Sequence, residues 1–179
     1  MAQRLKRAFF SRDCLEVAPD LVGKLLACRQ PDGTILRLRI SQTEAYRGET
    51  DTACHASHGR TKRAEVLYMG PGTIYVYLCY GIHWLLNVVT GRPDEPQGVL
   101  IRACVEADGP GRLTRRLGVT GELNRQDIVE SQTLWLEDDG LRPLVLTDKR
   151  VGIGYASQED QDRLWRFKLG PDQADLPLE

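Results

Sequence analysis

At residues 73–89 the chain reads Thr-Ile-Tyr-Val-Tyr-Leu-Cys-Tyr-Gly-Ile-His-Trp-Leu-Leu-Asn-Val-Val. Aromatic and β-branched residues dominate both sides of the glycine, which predicts two antiparallel strands joined by a tight turn at Tyr80-Gly81. The two-residue period of a strand puts Tyr75 and Tyr77 on the same face. A tyrosine at an exposed hairpin tip has no packing role, so Tyr80 predicts a recognition surface.

Further strands are predicted on both sides of this hairpin. Residues 35–41 alternate between apolar and polar types, and this strand delivers Thr43-Glu44-Ala45-Tyr46 at its end. An apolar strand follows at 99–104, and shorter ones are predicted at 134–136, 144–147 and 165–169. The sequence therefore predicts an α+β fold in a single domain over residues 1–179: a mostly antiparallel, curved β-sheet with surrounding helices and a protruding β-hairpin.

Two helices are predicted from apolar spacing and from capping residues. Apolar residues recur at helical spacing after Pro19, which predicts a helix over about residues 19–27. Asn124 can cap a second helix that begins at Arg125. The polar segment between Arg47 and Arg63 predicts a long surface loop, and long loops in compact domains are more often functional than idle.

The composition is that of a globular cytosolic protein. Of the 179 residues, 41% are apolar and 27% are charged, with a formal net charge of −1, which excludes fibrous, collagen-like and wholly disordered proteins. The five cysteines include no Cys-x-x-Cys pair, which argues against a disulfide scaffold and a cysteine-based zinc site. The longest apolar stretch, residues 74–89, is too short and too polar to span a bilayer. We expect a cytoplasmic protein with no membrane partner.

Glu44 is the first candidate for chemistry, because it ends a strand beside the loop that carries His55 and His58. A carboxylate in that position can act as a general base on water. A solvated acid at a strand end has the same sequence signature. His55 and His58 have the spacing of a metal chelate, but no third ligand lies within sequence reach, so neither a metal nor another cofactor is predicted.

The basic residues form three short runs, at residues 4–7, 60–63 and 112–116, whereas the acids concentrate elsewhere. Segregated charge predicts one cationic face for a polyanion, although solvated charge runs are the commoner explanation. The Gly109-Pro110-Gly111 turn also offers free backbone N–H groups to a phosphate. The candidates for phosphate binding are Arg60, Lys62, Arg63 and Arg112.

Two polar residues interrupt otherwise apolar strands. An inward-pointing Arg102 must find a carboxylate, because a buried unpaired charge is costly, and Glu44 is a suitable partner if the two strands are neighbours. The alternation equally allows Arg102 to face solvent. Asn87, in the second strand of the hairpin, likewise needs partners or a polar ligand if it is buried.

Together these motifs resemble the alkyladenine (3-methyladenine) DNA glycosylase family. The matching blocks are Thr43-Glu44-Ala45-Tyr46, His55, residues 69–81, Asn87, residues 100–103, residues 109–113 and residues 150–154. They follow the family's order across nearly the whole chain, and the resemblance is to its minimal, bacterial-type members. It implies a monofunctional DNA N-glycosylase, without lyase activity, that initiates base excision repair. Such an enzyme flips alkylated purines (3-methyladenine and 7-methylguanine, in some members hypoxanthine and ethenoadenine) out of double-stranded DNA and hydrolyses the N-glycosidic bond.

The resemblance also implies which residues carry out the reaction. Glu44 matches the family's general base, which deprotonates the attacking water. Arg102 and the backbone of Val151 match groups that help to hold that water. All three positions agree with the family pattern.

For substrate binding, the resemblance implies an aromatic pocket and an inserted side chain. Tyr46, His55 and Tyr77 match the residues that sandwich the flipped base, and Asn87 matches the amide assigned to exclude the exocyclic amine of guanine. Tyr80 matches the hairpin tyrosine that is inserted into the gap in the duplex.

The hairpin tip departs from the family pattern. Ile82 and His83 stand where the family's best-known member has a methionine wedge and another tyrosine. We therefore expect Tyr80 and Ile82 to intercalate together, with altered contacts to the minor groove. The resemblance implies that the partner is damaged double-stranded DNA. We expect the protein to be a monomer that is associated with the nucleoid.

Two other functional classes stay open on the residues alone. One is a non-enzymatic damage-binding module that uses the same basic face and Tyr80 without turnover. The other is a small metal-dependent hydrolase that uses Glu44, His55 and His58.

Overall fold

One antiparallel β-sheet of nine strands carries the fold in the computed structural model, which describes residues 2–171. Its strands are β1 (Gln3–Arg4), β2 (Leu25–Arg29), β3 (Ile35–Arg47), β4 (Ile74–Cys79), β5 (His83–Val89), β6 (Gln97–Cys104), β7 (Leu134–Asp138), β8 (Val145–Asp148) and β9 (Arg166–Leu169). The order along the sheet is β1-β7-β2-β3-β6-β5-β4, and β9 pairs with both β3 and β8. The predicted α+β fold, a mostly antiparallel sheet in a single domain, is confirmed.

Short helices accompany the sheet. The described range contains α1 (Arg7–Phe10), α2 (Cys14–Leu21), α3 (Pro110–Leu117) and α4 (Gln158–Asp162), and 3-10 helices at His55–His58, Ala64–Tyr68 and Gly121–Leu123. Within that range, no helix combines the length and the apolar character that crossing a bilayer demands.

The long strand β3 is the central element of the sheet. Its first half, Ile35–Arg39, pairs with β2, and its second half pairs with β6 and β9. The register with β6 shifts between Ile40 and Thr43, and such a bulge bends a strand and increases its twist. The second half of β3 therefore bends relative to the first half. It carries Glu44 and Tyr46, and Tyr46 packs against apolar clusters separate from the main core.

The predicted hairpin is confirmed. Its strands, β4 and β5, are paired from Ile74 opposite Val88 to Cys79 opposite His83, so that Tyr80, Gly81 and Ile82 form the connection. Tyr80 and Gly81 adopt φ angles of 51° and 67°, the left-handed region in which a glycine is least strained. Tyr80 is 88% exposed and Ile82 is 70% exposed.

The main hydrophobic core lies between α2, α3 and the sheet, and its fully buried members include Phe10, Leu21, Ile40, Ile101 and Leu113. A smaller apolar cluster surrounds Cys54, Leu67 and Tyr75. All five cysteines are free thiols. Burial raises the pKa of Cys54 to about 12, and burial also raises the pKa of Cys14, Cys28 and Cys104.

The helix predicted over residues 19–27 is wrong. The Asp13 carboxylate caps the helix earlier by accepting from the Leu15 N–H at 2.9 Å, and α2 ends at Leu21. The following residues form β2, which lies between β3 and β7 and is buried along most of its length. A short apolar run of this kind fits a strand covered on both faces as well as a helix, so periodicity alone misassigned it.

The helix predicted at Arg125 is also absent from the described range. The side-chain oxygen of Asn124 accepts from the Val76 N–H at 3.0 Å instead of capping a helix. Ile74 exchanges backbone hydrogen bonds with the same segment, through Arg125 and Gln126. This segment covers part of the open edge of β4, a place where sheets are otherwise prone to pair with other chains.

The segment between Arg47 and Arg63 is less of a surface loop than its composition predicts. Asp51, Ala53, Cys54 and Ala56 are buried. The loop folds back beside the end of β3, so that it forms one wall of the cavity described next.

Candidate active site

Glu44 is fully buried at the end of β3, and its carboxylate is fixed by three neighbours. The Tyr46 hydroxyl donates to Oε2 at 2.7 Å, and the Val151 N–H donates to Oε1 at 2.9 Å. The Arg102 Nε lies 3.6 Å from Oε1, an ion pair that brings β6 to β3 as the first of the two sequence alternatives requires. A carboxylate held in this way has the fixed orientation that a general base needs.

A narrow aromatic pocket lies beside this carboxylate. The His55 and Tyr77 rings meet edge to face with centroids 4.7 Å apart, and the Tyr75 and Tyr77 centroids are 5.2 Å apart. The His55 Nδ1 and the Tyr75 hydroxyl are 2.8 Å apart, which fixes the imidazole against the wall. The residues that line the pocket are Tyr46, Ala53, Cys54, His55, Leu67, Tyr75, Tyr77, Asn87, Gly98 and Tyr155.

The walls of the pocket are uncharged at neutral pH. Burial, aided by the positive charge of Arg63, lowers the pKa of His55 to about 4. Burial raises the pKa of Tyr75 and of Tyr77, so their hydroxyls stay protonated. A neutral, electron-rich lining of this kind suits a flat heterocycle, including one that carries a positive charge.

Asn87 lies in the pocket wall, where the resemblance implied an amide. It is buried, and its Nδ2 donates to the Tyr75 carbonyl at 3.1 Å. This bond fixes which way the amide turns, and it satisfies a polar group that would otherwise be costly to bury.

The pocket opens into a wider cleft. Tyr46, Arg102 and Val151, the three residues that hold Glu44, all line this cleft. So do Tyr80 at the hairpin tip and the beginning of α3. The structure thus brings the three residues that hold Glu44, the aromatic pocket and the hairpin together around one opening. Glu44 itself is fully buried directly behind Tyr46, Arg102 and Val151 and is not among the described residues that line either space.

The predicted phosphate-binding residues divide into two groups. Among the described residues, Arg63 and Arg112 line the cleft, whereas Arg60 and Lys62 do not. Arg60 pairs with Asp94 at 2.8 Å. Arg115 also lines the cleft. It belongs to the predicted basic run 112–116 but was not among the four candidates, although its spacing of three from Arg112 places both on one face of a helix.

A buried ion pair, which no sequence pattern predicted, lies behind the pocket. The Arg150 guanidinium and the Asp51 carboxylate have no exposed surface and lie 2.7 Å apart. Arg150 also donates to the Ala45 carbonyl at 3.0 Å, and Asp51 accepts from the Arg47 and Ala53 N–H groups. The pair therefore joins the end of β3, the loop that carries His55 and the segment that carries Val151.

No group of three or more His, Cys, Asp or Glu side chains within residues 2–171 is placed so that it could hold a metal ion. Glu44, His55 and His58 accordingly do not form the ligand set that the metal-dependent hydrolase requires.

Comparison with known proteins shows which family the sequence matches over most of the chain. The sequence model of the family described as methylpurine-DNA glycosylase matches residues 8–107 and 105–173. Similar curated proteins include those of Psychrobacter cryohalolentis (43% identical; 85% of each chain), Natranaerobius thermophilus (39%; 93% of this chain and 95% of the relative) and Methanocella arvoryzae (42%; 91% and 90%). Each of these relatives bears the name "Putative 3-methyladenine DNA glycosylase".

Proposed function

The chain belongs to the methylpurine-DNA glycosylase family, and we propose that it turns alkylated purines out of double-stranded DNA and hydrolyses their N-glycosidic bonds. One observation carries the proposal. The three residues that hold the Glu44 carboxylate line the cleft into which the aromatic pocket opens, and Tyr80 at the hairpin tip lines the same cleft. Base flipping needs a pocket for the extruded base, and hydrolysis needs a placed water at the sugar.

The proposed reaction places the extruded purine between Tyr46 on one side and His55 and Tyr77 on the other. Glu44 takes a proton from a water, and the water oxygen bonds to C1′ of the sugar. The C1′–N bond breaks, and its electron pair leaves with the purine. A purine alkylated at N3 or N7 is already cationic, so it departs as a neutral base and needs no acid.

In the proposed complex, side chains of the hairpin tip occupy the space that the extruded base leaves in the duplex. Tyr80 and Ile82 are the two most exposed large apolar side chains among the described residues. Exposed apolar groups that are adjacent in space mark an interaction site. We infer that they fill the vacated position in the duplex and slow the return of the base.

The first expected result is release of alkylated bases. When the protein is incubated with methylated DNA, chromatography should detect free 3-methyladenine and 7-methylguanine. Excision of hypoxanthine, a neutral lesion, should be slower at neutral pH, because its departure needs protonation and no acid is evident in the pocket. The measurement is the single-turnover excision rate for each lesion in a matched duplex.

Two outcomes would contradict the proposal. Methylated DNA that keeps all its bases would leave only a binding role for the cleft. Trapping of an enzyme–DNA adduct with borohydride would show a lysine intermediate instead of a water nucleophile. No lysine is found among the described residues that line the pocket or the cleft, so we expect no such adduct.

The divided basic residues give a matched pair of variants. Arg112 lines the cleft and forms no ion pair within the described range, whereas Arg60 is already paired with Asp94. Arg112→Ala should weaken binding to any duplex and reduce the slope of log K against log salt by about 1, the effect of one lost phosphate contact. Arg60→Ala should change neither quantity. Equal effects of the two substitutions would show that the DNA backbone does not run along the cleft.

A further inference from the structure

Tyr155 is an exposed aromatic residue at the mouth of the pocket that neither the sequence motifs nor the proposed reaction uses. Its ring lines both the narrow pocket and the wider cleft. It is nevertheless 68% exposed, close to the 70% of Ile82 at the hairpin tip. Its surface is therefore available to whatever occupies the boundary between pocket and cleft.

The Tyr155 ring is fixed in place although it is exposed. Its hydroxyl donates to the Ala53 carbonyl at 2.8 Å. Ala53 is held in turn, because its N–H donates to Asp51 at 3.1 Å. An exposed aromatic side chain normally retains its rotamer freedom, so a tethered one is arranged for contact in advance.

The segment that carries Tyr155 is also fixed relative to Glu44. Ile153 and Ala156, on either side of Tyr155, are buried in a small cluster with Ala53. Val151, four residues earlier, binds the Glu44 carboxylate through its N–H. The Tyr155 ring and the Glu44 carboxylate are thus attached to the same segment, residues 151–156.

We propose that Tyr155 contacts the deoxyribose of the extruded nucleotide, a role that rests on the proposed function. A base inside the pocket and a phosphate backbone in the cleft leave the sugar at the boundary between them. Four aromatic residues line both spaces, and among them Tyr155 is the one that is mostly exposed. The other three, Tyr46, His55 and Tyr77, are the residues that the proposed reaction assigns to the base.

This position gives the ring a chemical effect as well as a contact. As the C1′–N bond lengthens, positive charge develops on the sugar. The electron-rich ring of a tyrosine attracts a cation placed against it, more strongly where water is excluded. Because that charge is absent from the bound substrate, the attraction accelerates bond cleavage without tightening binding.

Two substitutions separate the ring from the hydroxyl. Tyr155→Phe keeps the aromatic ring and loses the bond to Ala53, whereas Tyr155→Leu keeps apolar volume and loses the aromatic ring. We expect single-turnover excision of 7-methylguanine to fall by about 5-fold or more in Tyr155→Leu. It should fall by a smaller factor, about 2-fold, in Tyr155→Phe, which keeps the ring but loses the bond that holds it in place. The dissociation constant for the lesion duplex should stay within about 2-fold of wild type in both.

Three results would overturn the proposal. The first is excision by Tyr155→Leu at the wild-type rate. The second is excision by Tyr155→Phe that is as slow as that of Tyr155→Leu. The third is weaker binding of the lesion duplex by Tyr155→Leu with an unchanged excision rate. Leu164→Ala, an exposed apolar residue outside both linings, is the control for surface changes, and thermal unfolding checks each variant's fold. Failure of the proposed function would look different, because the wild-type protein itself would then release no base.

Discussion

Glu44→Gln should bind lesion-containing duplex and release almost no base. The substitution nearly preserves shape, and its amide oxygen can still accept from the Val151 N–H, which lies 2.9 Å from Oε1 in the wild-type protein. The other amide atom can donate to the Tyr46 oxygen, whose hydroxyl donates to Oε2 at 2.7 Å in the wild type. The fold and the cleft should therefore survive.

The expected loss is in chemistry alone. The amide cannot accept a proton from water, and it brings no negative charge close to the cationic sugar. Loss of a general base lowers rates by about 10²–10⁴-fold, so we expect at least a 100-fold fall in single-turnover excision. Affinity for the lesion duplex, measured by titration of a fluorescent oligonucleotide, should change by less than about 3-fold, because a base acts on the transition state.

The control for this experiment is Glu16→Gln, which alters an exposed carboxylate on α2. Its excision rate should equal that of the wild-type protein. Undiminished excision by Glu44→Gln would show that Glu44 is not the general base. A different result, in which the wild-type protein binds lesion-containing duplex but releases no base, would show that the protein is a damage-binding module.

Asp51→Asn should destabilise the protein by about 3–5 kcal/mol, because it leaves the buried Arg150 guanidinium without its counter-charge. A loss of this size is a large fraction of the stability of a single domain. The free energy of unfolding from urea titration, followed by tryptophan fluorescence, measures it. An exposed pair gives the comparison: Glu65→Gln, which breaks the bond to Arg125, should leave the free energy of unfolding nearly unchanged, because solvent screens an exposed ion pair.

The double variant Asp51→Asn, Arg150→Met distinguishes the cost of an unpaired buried charge from the loss of the contact that joins the three segments. Removing both charges takes away the desolvation cost of the unpaired ion, so the double variant should regain much of the lost stability. Its excision rate should nevertheless be lower than that of the wild-type protein, because the three segments that the pair joins lose their common contact. A double variant that is as unstable as Asp51→Asn alone would show that hydrogen bonds to the backbone, and not the charges, dominate this site.

Local sequence patterns predicted the parts of the site that lie on regular strands. The strand that carries Glu44, the hairpin with Tyr80 at its tip and the shared face of Tyr75 and Tyr77 all follow from a two-residue period and from turn residues. The Glu44–Arg102 pair was one of two alternatives, because alternation places a residue on a face but does not say what covers that face.

Tertiary contacts determined the rest, and local patterns do not report them. Residues 25–29 became a strand because β3 and β7 cover them on both sides. Arg60 found a partner in Asp94, which is distant in the sequence, and the composition around Asp51 is that of a loop. Tyr155 lies between Gly154 and Ala156 in a short irregular segment, where no periodicity marks it.

The buried thiols bear on the conditions under which such a protein has to work. The electrophiles that methylate purines also attack sulfur, and the reactive form of cysteine is the thiolate. Because burial raises the pKa of Cys14, Cys54 and Cys104, these side chains stay protonated and shielded at cellular pH. The same packing that builds the core should therefore protect these three cysteines from the reagents that create the protein's proposed substrates, whereas Cys79 is half-buried and lines the cleft.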